Sequence, residues 1–177
     1  MENTLKGKTV NESRTTFTQI VMPNDTNPLG NLMGGNIMRW MDIAGGICAS
    51  KHSGSFVVTA SVDNVSFKSP VKVGDVITIN AQVTRAFNTS VEVFIEVFST
   101  TVPSDIPVKS NNAYFTFVAI DPNTFKPTPI KPVVPVSEDE VKRYEGASRR
   151  RELRLVLGGK MDPKDATDLR QYFRELD

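Results

Sequence analysis

The sequence predicts an α+β fold in which one long helix covers the dry face of an antiparallel sheet. Between residues 36 and 50, apolar residues recur at spacings of three and four, which is the period of an amphipathic helix. Four runs rich in β-branched and aromatic residues follow this segment, and such runs are typical of strands. Turn-forming segments separate the runs, so neighbouring strands should lie antiparallel.

The elements are expected in the order strand, helix and four strands. A short strand is expected at residues 15–22, and the later strands are expected at 55–67, 75–86, 90–99 and 112–121. Gly74-Asp75 and Phe87-Asn88-Thr89 mark two tight connections, so the strands that each of them joins are expected to be adjacent. Glu92 and Glu96 alternate with apolar residues, which predicts one dry face and one largely wet face of the sheet.

One domain is expected at residues 12–135, between a flexible N-terminus at 1–11 and a charged helical extension at 136–177. A chain of 177 residues is long enough for one domain with an appendage but short for two full domains. Prolines recur towards the end of the domain, where they should interrupt a sheet and form an extended linker. Ser137 then offers an N-cap and Glu140 completes a capping box, which predicts a helix at the start of the extension.

The composition excludes several classes of protein. The 21 Lys and Arg residues against 20 Asp and Glu leave a formal net charge of +1, which gives no overall attraction to nucleic acid or to an anionic membrane. Cys48 is the only cysteine and His52 the only histidine, so a disulfide within the chain and a zinc or iron cluster are not expected. No stretch approaches the roughly 20 apolar residues of a membrane span. The sequence therefore predicts a cytoplasmic protein without a metal, a membrane or a nucleic-acid partner.

A turn-rich polar loop precedes the predicted helix, and together they carry the parts of a hydrolytic site. Asn27 in the loop offers a side-chain amide. Gly34 and Gly35 offer backbone N–H groups at the positive end of the helix, which can polarise a carbonyl or bind an anion. Asp42 lies at the border of the apolar helix face, where restricted access to water suits a carboxylate to base catalysis. Thr59, in an otherwise apolar strand, offers a hydroxyl.

Each of these residues also has a structural explanation. Asn27 and the two glycines could simply form the turn before the helix. Asp42 could pair with a cation such as Arg39, and Thr59 could be an ordinary strand former. Cys48 is interpreted as a small buried hydrophobic residue and His52 as a cap of the helix C-terminus. The sequence shows no recognisable spacing of serine, histidine and acid, so a nucleophilic triad is not supported.

Several separated blocks of the sequence, taken together, resemble the hotdog-fold acyl-CoA thioesterases, and within them the bacterial cytosolic acyl-CoA hydrolases, which are similar to the brain-type acyl-CoA hydrolases. The resemblance covers about residues 12–135. The blocks that carry it are residues 23–27, Gly30, Gly34-Gly35, Met41-Asp42, 57–63, Phe67 with Pro70, Gly74-Asp75 and 115–119. The first part of the extension also resembles a helical addition found in some members.

The resemblance implies a five-stranded antiparallel sheet wrapped around the long helix, and a homodimer with composite sites at its interface, often assembled as three dimers. It makes Asn27 and Asp42 the catalytic pair, Gly34 and Gly35 the turn that polarises the thioester, and Thr59 a supporting residue. Helix geometry agrees with a shared site. If the helix begins near residue 36, Asp42 lies about 9 Å further along the axis, too far to act on a carbonyl held by the glycines of the same chain.

The expected function is hydrolysis of a fatty acyl-CoA to a fatty acid and CoA, without any cofactor besides the CoA of the substrate. Asp42 would activate water or attack the thioester to form an anhydride. The polyanionic CoA requires local cations and donors, and the candidates are Lys68, Arg85, Thr89, Ser90, Arg149 and Arg150. Met33, Met38 and Met41 are expected to line the acyl tunnel. Two alternatives remain, namely a non-catalytic acyl-CoA sensor and a hotdog dehydratase of hydroxyacyl thioesters, which would need a histidine paired with an acid.

Overall fold

The computed structural model describes residues 6–63, 65 and 69–174. They divide into two compact units, with the boundary between Val134 and Pro135. Helices and strands follow one another as β1 (Lys8–Thr9), β2 (Thr15–Ile20), α1 (Gly34–Ser53), β3 (Phe56–Asp63), β4 (Val76–Ala86), β5 (Ser90–Thr100), β6 (Val108–Ile120), β7 (Val133–Val134), α2 (Glu138–Leu157) and α3 (Thr167–Arg174).

The first unit is built on a five-stranded antiparallel sheet in the order β2-β4-β5-β6-β3. The helix α1 packs on one face of it, so the predicted α+β architecture is confirmed. Its residues Met41, Ala44 and Cys48 are fully buried. A Cβ atom at Gly45 would come within 2.9 Å of the side chains of Ile95 and Phe117, so the absence of a side chain lets the helix approach the sheet closely.

The predicted adjacency of the strands on either side of Gly74-Asp75 is wrong. Although β4 follows β3 in the chain, β3 pairs with β6, and β4 lies between β2 and β5. The connection at residues 64–75 is long enough to cross from one side of the sheet to the other. Its last turn pairs with the end of β2 instead, since Val21 N donates to Asp75 O and Gly74 N to Val21 O, both at 2.9 Å. The strand β3 is therefore an edge strand. The other predicted adjacency, across Phe87-Asn88-Thr89, is confirmed.

The prediction that Glu92 lies on a wet face is also wrong, because this side chain is fully buried. Its carboxylate accepts a hydrogen bond of 2.5 Å from Thr84 Oγ1 on the adjacent strand. Glu96 behaves as predicted in part, since it is partly exposed and accepts a 2.7 Å bond from Lys109 Nζ. Alternation in a sequence tells which residues share a face of a sheet, but not how completely that face is covered.

The start of the chain and the proline-rich segment meet in a small parallel pair, in which β1 lies beside β7. The expected flexible N-terminus thus contains a strand, and Val10, directly after it, is only 2% exposed. Residues 1–5 lie outside the described residues. The prolines do not prevent this pairing, because Val133 and Val134 retain their N–H groups and Pro132 O accepts from Lys8 N at 2.9 Å.

The second unit consists of the helices α2 and α3. The predicted capping box is confirmed, since Glu140 N donates to Ser137 Oγ while Ser137 N donates to Glu140 Oε2. The two helices are joined by a hydrogen bond of 2.8 Å from Leu169 N to Glu152 Oε2. Among the described residues, no helix combines the length and the apolar character needed to cross a membrane.

Candidate functional site

Asn27 organises the loop before α1 through its side-chain oxygen. Asn27 Oδ1 accepts hydrogen bonds from Leu29 N at 3.0 Å and from Asn31 N at 3.2 Å. These bonds fix which end of the amide faces the loop backbone. The amide nitrogen has no acceptor among the described residues, so Asn27 has its N–H groups available for a ligand.

The helix α1 begins at Gly34 with two backbone donors that the described part of the chain leaves unused. The next two amides, those of Asn36 and Ile37, both donate to Met33 O, at 3.0 and 3.2 Å. No described residue accepts from the N–H of Gly34 or Gly35, which lie at the positive end of the helix. A Cβ atom at Gly35 would meet nothing within 4 Å, so the packing of this chain does not itself require glycine there.

Asp25 fastens the loop to the start of α1. Its backbone oxygen accepts from Met33 N and from Asn36 Nδ2, both at 3.0 Å, and its carboxylate accepts from Met22 N at 2.9 Å. Nothing in the sequence marks Asp25 or Asn36 as positioning residues. The sequence shows only that the loop is rich in turn-forming residues. This composition does not reveal a hydrogen bond between Asp25 and Asn36, which lie 11 positions apart.

Asp42 and Thr59 meet where α1 passes the edge strand β3. Thr59 Oγ1 donates a short hydrogen bond of 2.5 Å to Asp42 Oδ1, and the carboxylate is partly buried. This contact holds one carboxylate oxygen and leaves Oδ2 available. The structure thus brings together two of the predicted catalytic residues. The structural explanation for Thr59 was that it is an ordinary strand former. Its hydrogen bond to Asp42 gives it a further role.

Within one chain the predicted catalytic residues form two separate groups. One group is the loop with the helix start, and the other is the Asp42–Thr59 pair. Asp42 lies eight residues after Gly34, which corresponds to about 12 Å along the helix axis. A carbonyl held at about 3 Å by the N–H of Gly34 or Gly35 is therefore out of reach of Asp42 in the same chain.

Three of the proposed CoA contacts lie at the far end of the sheet from the start of α1. Arg85, Thr89 and Ser90 belong to the hairpin that joins β4 to β5, whereas the loop before α1 is hydrogen-bonded to residues 71–73, shortly before β4 begins. The strand β4 has 11 residues, so its two ends are on the order of 35 Å apart. The guanidinium of Arg85 lies over the ring of Phe87, 5.7 Å from its centroid. The fourth candidate, Lys68, lies outside the described residues.

Arg149 and Arg150, the remaining candidates for CoA contacts, belong to the second unit and have partners there. Arg149 lies 4.5 Å from the centroid of the Tyr172 ring, a cation–π contact. Arg150 Nη2 donates to the backbone oxygen of Arg143 at 2.8 Å.

Cys48 and His52 are both fully buried and are not part of either group. Burial raises the pKa of the Cys48 thiol to about 12, so it is not a nucleophile at neutral pH. His52 Nε2 lies 3.0 Å from Lys131 O, so the ring binds the proline-rich segment and does not cap its own helix. Burial also lowers the pKa of this imidazole. His52 follows Asp42 by ten residues, about 15 Å along α1, and the two do not form a histidine–acid pair.

Comparison with known sequences identifies the family. The sequence pattern of the thioesterase superfamily matches residues 29–103. The protein VdlD of Helicobacter pylori is 34% identical over 146 residues, which cover 82% of this chain and 83% of that protein. An uncharacterised acyl-CoA thioester hydrolase of Bacillus subtilis is 34% identical over 139 residues, 78% of this chain and 80% of that protein. The chain belongs to the hotdog-fold acyl-CoA thioesterases.

Solved structures of other acyl-CoA thioesterases superpose closely on this one. An acyl-CoA hydrolase from Bacillus cereus has a TM-score of 0.83 at 37% identity, and covers 88% of this chain and 94% of its own. A hexameric acyl-CoA thioesterase has a TM-score of 0.81 at 37% identity, and covers 85% of this chain and 97% of its own. An acyl-CoA hydrolase from Staphylococcus aureus, bound to butyryl-CoA, CoA and CoA disulfide, has a TM-score of 0.81 at 32% identity, and covers 97% and 99%.

Three further structures show variants of this Staphylococcus aureus thioesterase, in which an asparagine, an aspartate or a threonine is replaced by alanine. They share 31%, 33% and 32% identity with the present chain at TM-scores of 0.81, 0.79 and 0.80. They cover 96%, 86% and 88% of this chain and 96%, 95% and 97% of their own.

Proposed function

We propose that this thioesterase hydrolyses fatty acyl-CoA to a free fatty acid and CoA at a site shared by two chains. The observation that carries the proposal is the hydrogen bond between Thr59 and Asp42, which prepares a carboxylate at the edge of the sheet. The replaced residues of the Staphylococcus aureus enzyme support it. They are of the same types as Asn27, Asp42 and Thr59, and each carries a number one higher than these.

The loop and the helix start would bind the thioester carbonyl. The N–H groups of Gly34 and Gly35 point out of the positive end of α1, so they can stabilise the negative charge that develops on the carbonyl oxygen. Asn27 can add a further donor, because its own oxygen is occupied by the loop backbone and its amide nitrogen is not. The three donors would thus act on one oxygen.

Asp42 would perform the chemical step. In one route it removes a proton from water, the resulting hydroxide attacks the thioester carbon, and the C–S bond breaks to release CoA, whose sulfur takes up the proton. In the other route Asp42 attacks directly, forms an anhydride as the C–S bond breaks, and water then cleaves the anhydride. Thr59 holds Oδ1 in both routes and leaves Oδ2 to react. Neither route needs a cofactor beyond the CoA of the substrate.

The second chain would supply the missing half of each site. The edge strand β3 has unpaired backbone groups along one side, and its side chains Phe56 and Val58 are exposed and apolar. Apolar surface of this kind next to a free strand edge favours pairing with a second copy. If two α1 helices meet antiparallel across a two-fold axis, the start of one approaches Asp42 of the other.

This arrangement also gives the hairpin candidates for CoA binding a plausible role. The hairpin with Arg85, Thr89 and Ser90 lies at the end of the sheet where α1 finishes, so antiparallel pairing brings it to the side on which the partner's α1 begins. Lys68, Arg149 and Arg150 remain further candidates.

We extend the proposal to the organisation of the protein. Residues 12–135 would form the catalytic domain and residues 136–177 a helical extension. The hexameric relative supports an assembly of three dimers. A cytoplasmic location is supported by the cytosolic acyl-CoA thioester hydrolase of the rat, which is 34% identical over 159 residues, 88% of this chain and 42% of that protein.

The shared site can be tested by mixing two inactive variants, Asp42→Asn and Asn27→Asp. In a mixed dimer, one site combines the unaltered loop of the first variant with the unaltered Asp42 of the second. Because half of the dimers in a random mixture are mixed and each has one intact site, thiol release from acyl-CoA should recover to about a quarter of the wild-type rate. No recovery after co-refolding would show that each site lies within one chain.

The chemistry itself is tested by thiol release from the wild-type protein. The buried Cys48 should not react with the thiol reagent used to detect CoA, so the background is low. A protein that binds acyl-CoA but releases no thiol would be a sensor, and the proposal of hydrolysis would be wrong.

A further inference from the structure

The helix α1 begins without a side-chain cap. Helices commonly begin after a serine, threonine, aspartate or asparagine, whose oxygen accepts a hydrogen bond from the second or third amide of the helix. The residue at this position is Met33, and its side chain forms no such bond. The third amide, that of Asn36, already donates to Met33 O at 3.0 Å. The N–H of Gly35, the second residue, is therefore the donor that an ordinary cap would occupy.

The side chain of Asn36 fastens the start of the helix in place of a cap. Its Nδ2 donates to Asp25 O at 3.0 Å, and the same oxygen accepts from Met33 N at 3.0 Å. Asn36 is the third residue of α1, so its side chain reaches back over the start of the helix without using the N–H groups of the two glycines. Two bonds to one oxygen thus join the first turn of α1 to residue 25.

Asp25 belongs to the same narrow hairpin as Asn27. Within it, Thr26 pairs with Leu32 in an antiparallel bridge, and Asn27 N donates to Asn31 O at 2.8 Å. The loop is thus ordered from residue 25 at its base to Asn27 two residues further on. Because the base of the hairpin is the part that is bonded to α1, this contact sets the direction in which the hairpin, and Asn27 with it, leaves the helix.

We propose that Asn36 is a positioning residue, which holds the loop against α1 in place of an N-cap, so that the N–H groups of the two glycines stay free and converge with the amide of Asn27 on one carbonyl oxygen. This inference rests on the proposed thioesterase function. Donors stabilise an oxyanion only when they lie about 3 Å from the position it takes, and a misplacement of about 1 Å can cost about 10²-fold in rate. A cap at residue 33 would also hold the helix start, but it would occupy a donor that the reaction needs.

Asn36→Leu removes the donor and keeps the size of the side chain. It should lower kcat for acyl-CoA hydrolysis by about tenfold and leave KM nearly unchanged, because the donors act on charge that develops in the transition state. The matched control is Asn24→Leu, the same replacement at an exposed residue next to Asp25, whose side chain has no hydrogen bond among the described residues. It should keep the wild-type kcat.

A double-mutant cycle separates positioning from a general loss of stability. If Asn36 acts by placing the amide of Asn27, it has little left to place once that amide is removed. Asn36→Leu should therefore lower the residual kcat of Asn27→Ala by less than about threefold. A full tenfold loss in that background would show that Asn36 acts independently of Asn27 and would overturn the inference.

The missing cap is tested by comparing Met33→Ser with Met33→Ala, which differ by one hydroxyl. Serine can accept from Gly35 N, so its variant should have a thermal midpoint about 3 °C higher than that of the alanine variant. The same bond should lower kcat by about threefold or more, because it occupies a donor of the oxyanion. A serine variant that is more stable and equally active would contradict the proposal. So would one without the gain in stability, because Gly35 N–H would then not be the free donor that the inference requires.

Thermal denaturation shows whether each variant is folded, and if Asn36→Leu is not, the comparison at Met33 decides. A folded Asn36→Leu protein with the wild-type kcat would also overturn the inference. Failure of the proposed function is distinguishable, since it would abolish thiol release by the wild-type protein from every acyl-CoA.

Discussion

At the scale of single residues, the chemistry of a side chain depends on which of its atoms the fold already uses. Asn27 could in principle donate to or accept from a substrate. Because Leu29 N and Asn31 N both donate to its oxygen, only its N–H groups remain available. Asp42 is similar, since Thr59 occupies one of its two oxygens. The sequence identifies these residues as candidates, and the structure decides what each one can do.

The Asn27→Asp variant tests this assignment. Aspartate can accept the same two backbone hydrogen bonds, so the loop and the thermal midpoint should change little. Aspartate lacks the amide donors and brings a negative charge towards the developing oxyanion, so kcat should fall by about 10²-fold or more. Thiol release and thermal denaturation measure the two effects. Asn24→Asp, an exposed position in the same loop, is the control and should keep its activity.

At the scale of elements, the sequence is a good guide to which elements exist and a poor guide to how they pair. The helical spacing that predicts α1 and the β-branched runs that predict the strands are local, so they can be read directly. Strand order is not local. The Gly74-Asp75 turn looks like a hairpin connection, yet its hydrogen bonds go to Val21. The burial of Glu92 likewise depends on neighbouring strands and leaves no local signal.

The end of α1 is held by a contact that the sequence also did not reveal. His52 Nε2 is bonded to Lys131 O, shortly before β7, and its Nδ1 is buried and without a partner among the described residues. Lys131 O can only accept, so Nε2 carries a proton, and the buried Nδ1 without a partner favours the neutral ring over the charged one. Burial is the largest effect and lowers the pKa of the imidazole below its ordinary value of 6.5, although the hydrogen bond to Lys131 O opposes this effect; Lys8 lowers the pKa further and Glu12 raises it.

The lowered pKa gives a pH dependence of stability whose sign can be worked out. Below about pH 6.5 the imidazole of the unfolded chain binds a proton that the folded protein resists. The free energy of unfolding should therefore decrease as the pH falls through this range, until the folded-state pKa is reached. His52→Gln can keep the donor to Lys131 O but has no proton to bind. Its thermal midpoint should fall less between pH 7.5 and 5.5 than that of the wild type, and equal decreases would contradict the assignment.

At the scale of the whole molecule, the distribution of exposed apolar residues favours an assembly larger than one chain. The two edge strands of the sheet differ in this respect. On β3, Phe56 is 66% exposed and Val58 is 52% exposed. At the opposite edge, the exposed residues of β2 are Thr16, Thr18 and Ile20, of which two are polar. The same strand as Phe56 and Val58 carries Thr59, which holds Asp42, so the edge that favours association also contains half of the site.

This coincidence predicts that assembly and activity fail together. Val58→Lys introduces a charge in the middle of the β3 edge, a change of the kind that natural proteins use to prevent strand pairing. We expect the dimer to dissociate by light scattering at micromolar concentration. Thiol release should be lost even though Asp42, Thr59, Asn27 and the glycines are unaltered. Circular dichroism should show a folded chain, because Val58 is exposed and contributes little to the core.

Thr18→Lys is the matched control, since it places the same charge on an exposed residue of the other edge strand, β2. It should retain both the oligomeric state and the activity. If the shared site is correct, raising the concentration of Val58→Lys should restore dimer and activity in parallel, because each site requires two chains. A monomeric Val58→Lys protein that hydrolyses acyl-CoA at the wild-type rate would show that one chain contains a complete site. The separation of about 12 Å between Gly34 and Asp42 would then have to be closed by a movement within that chain.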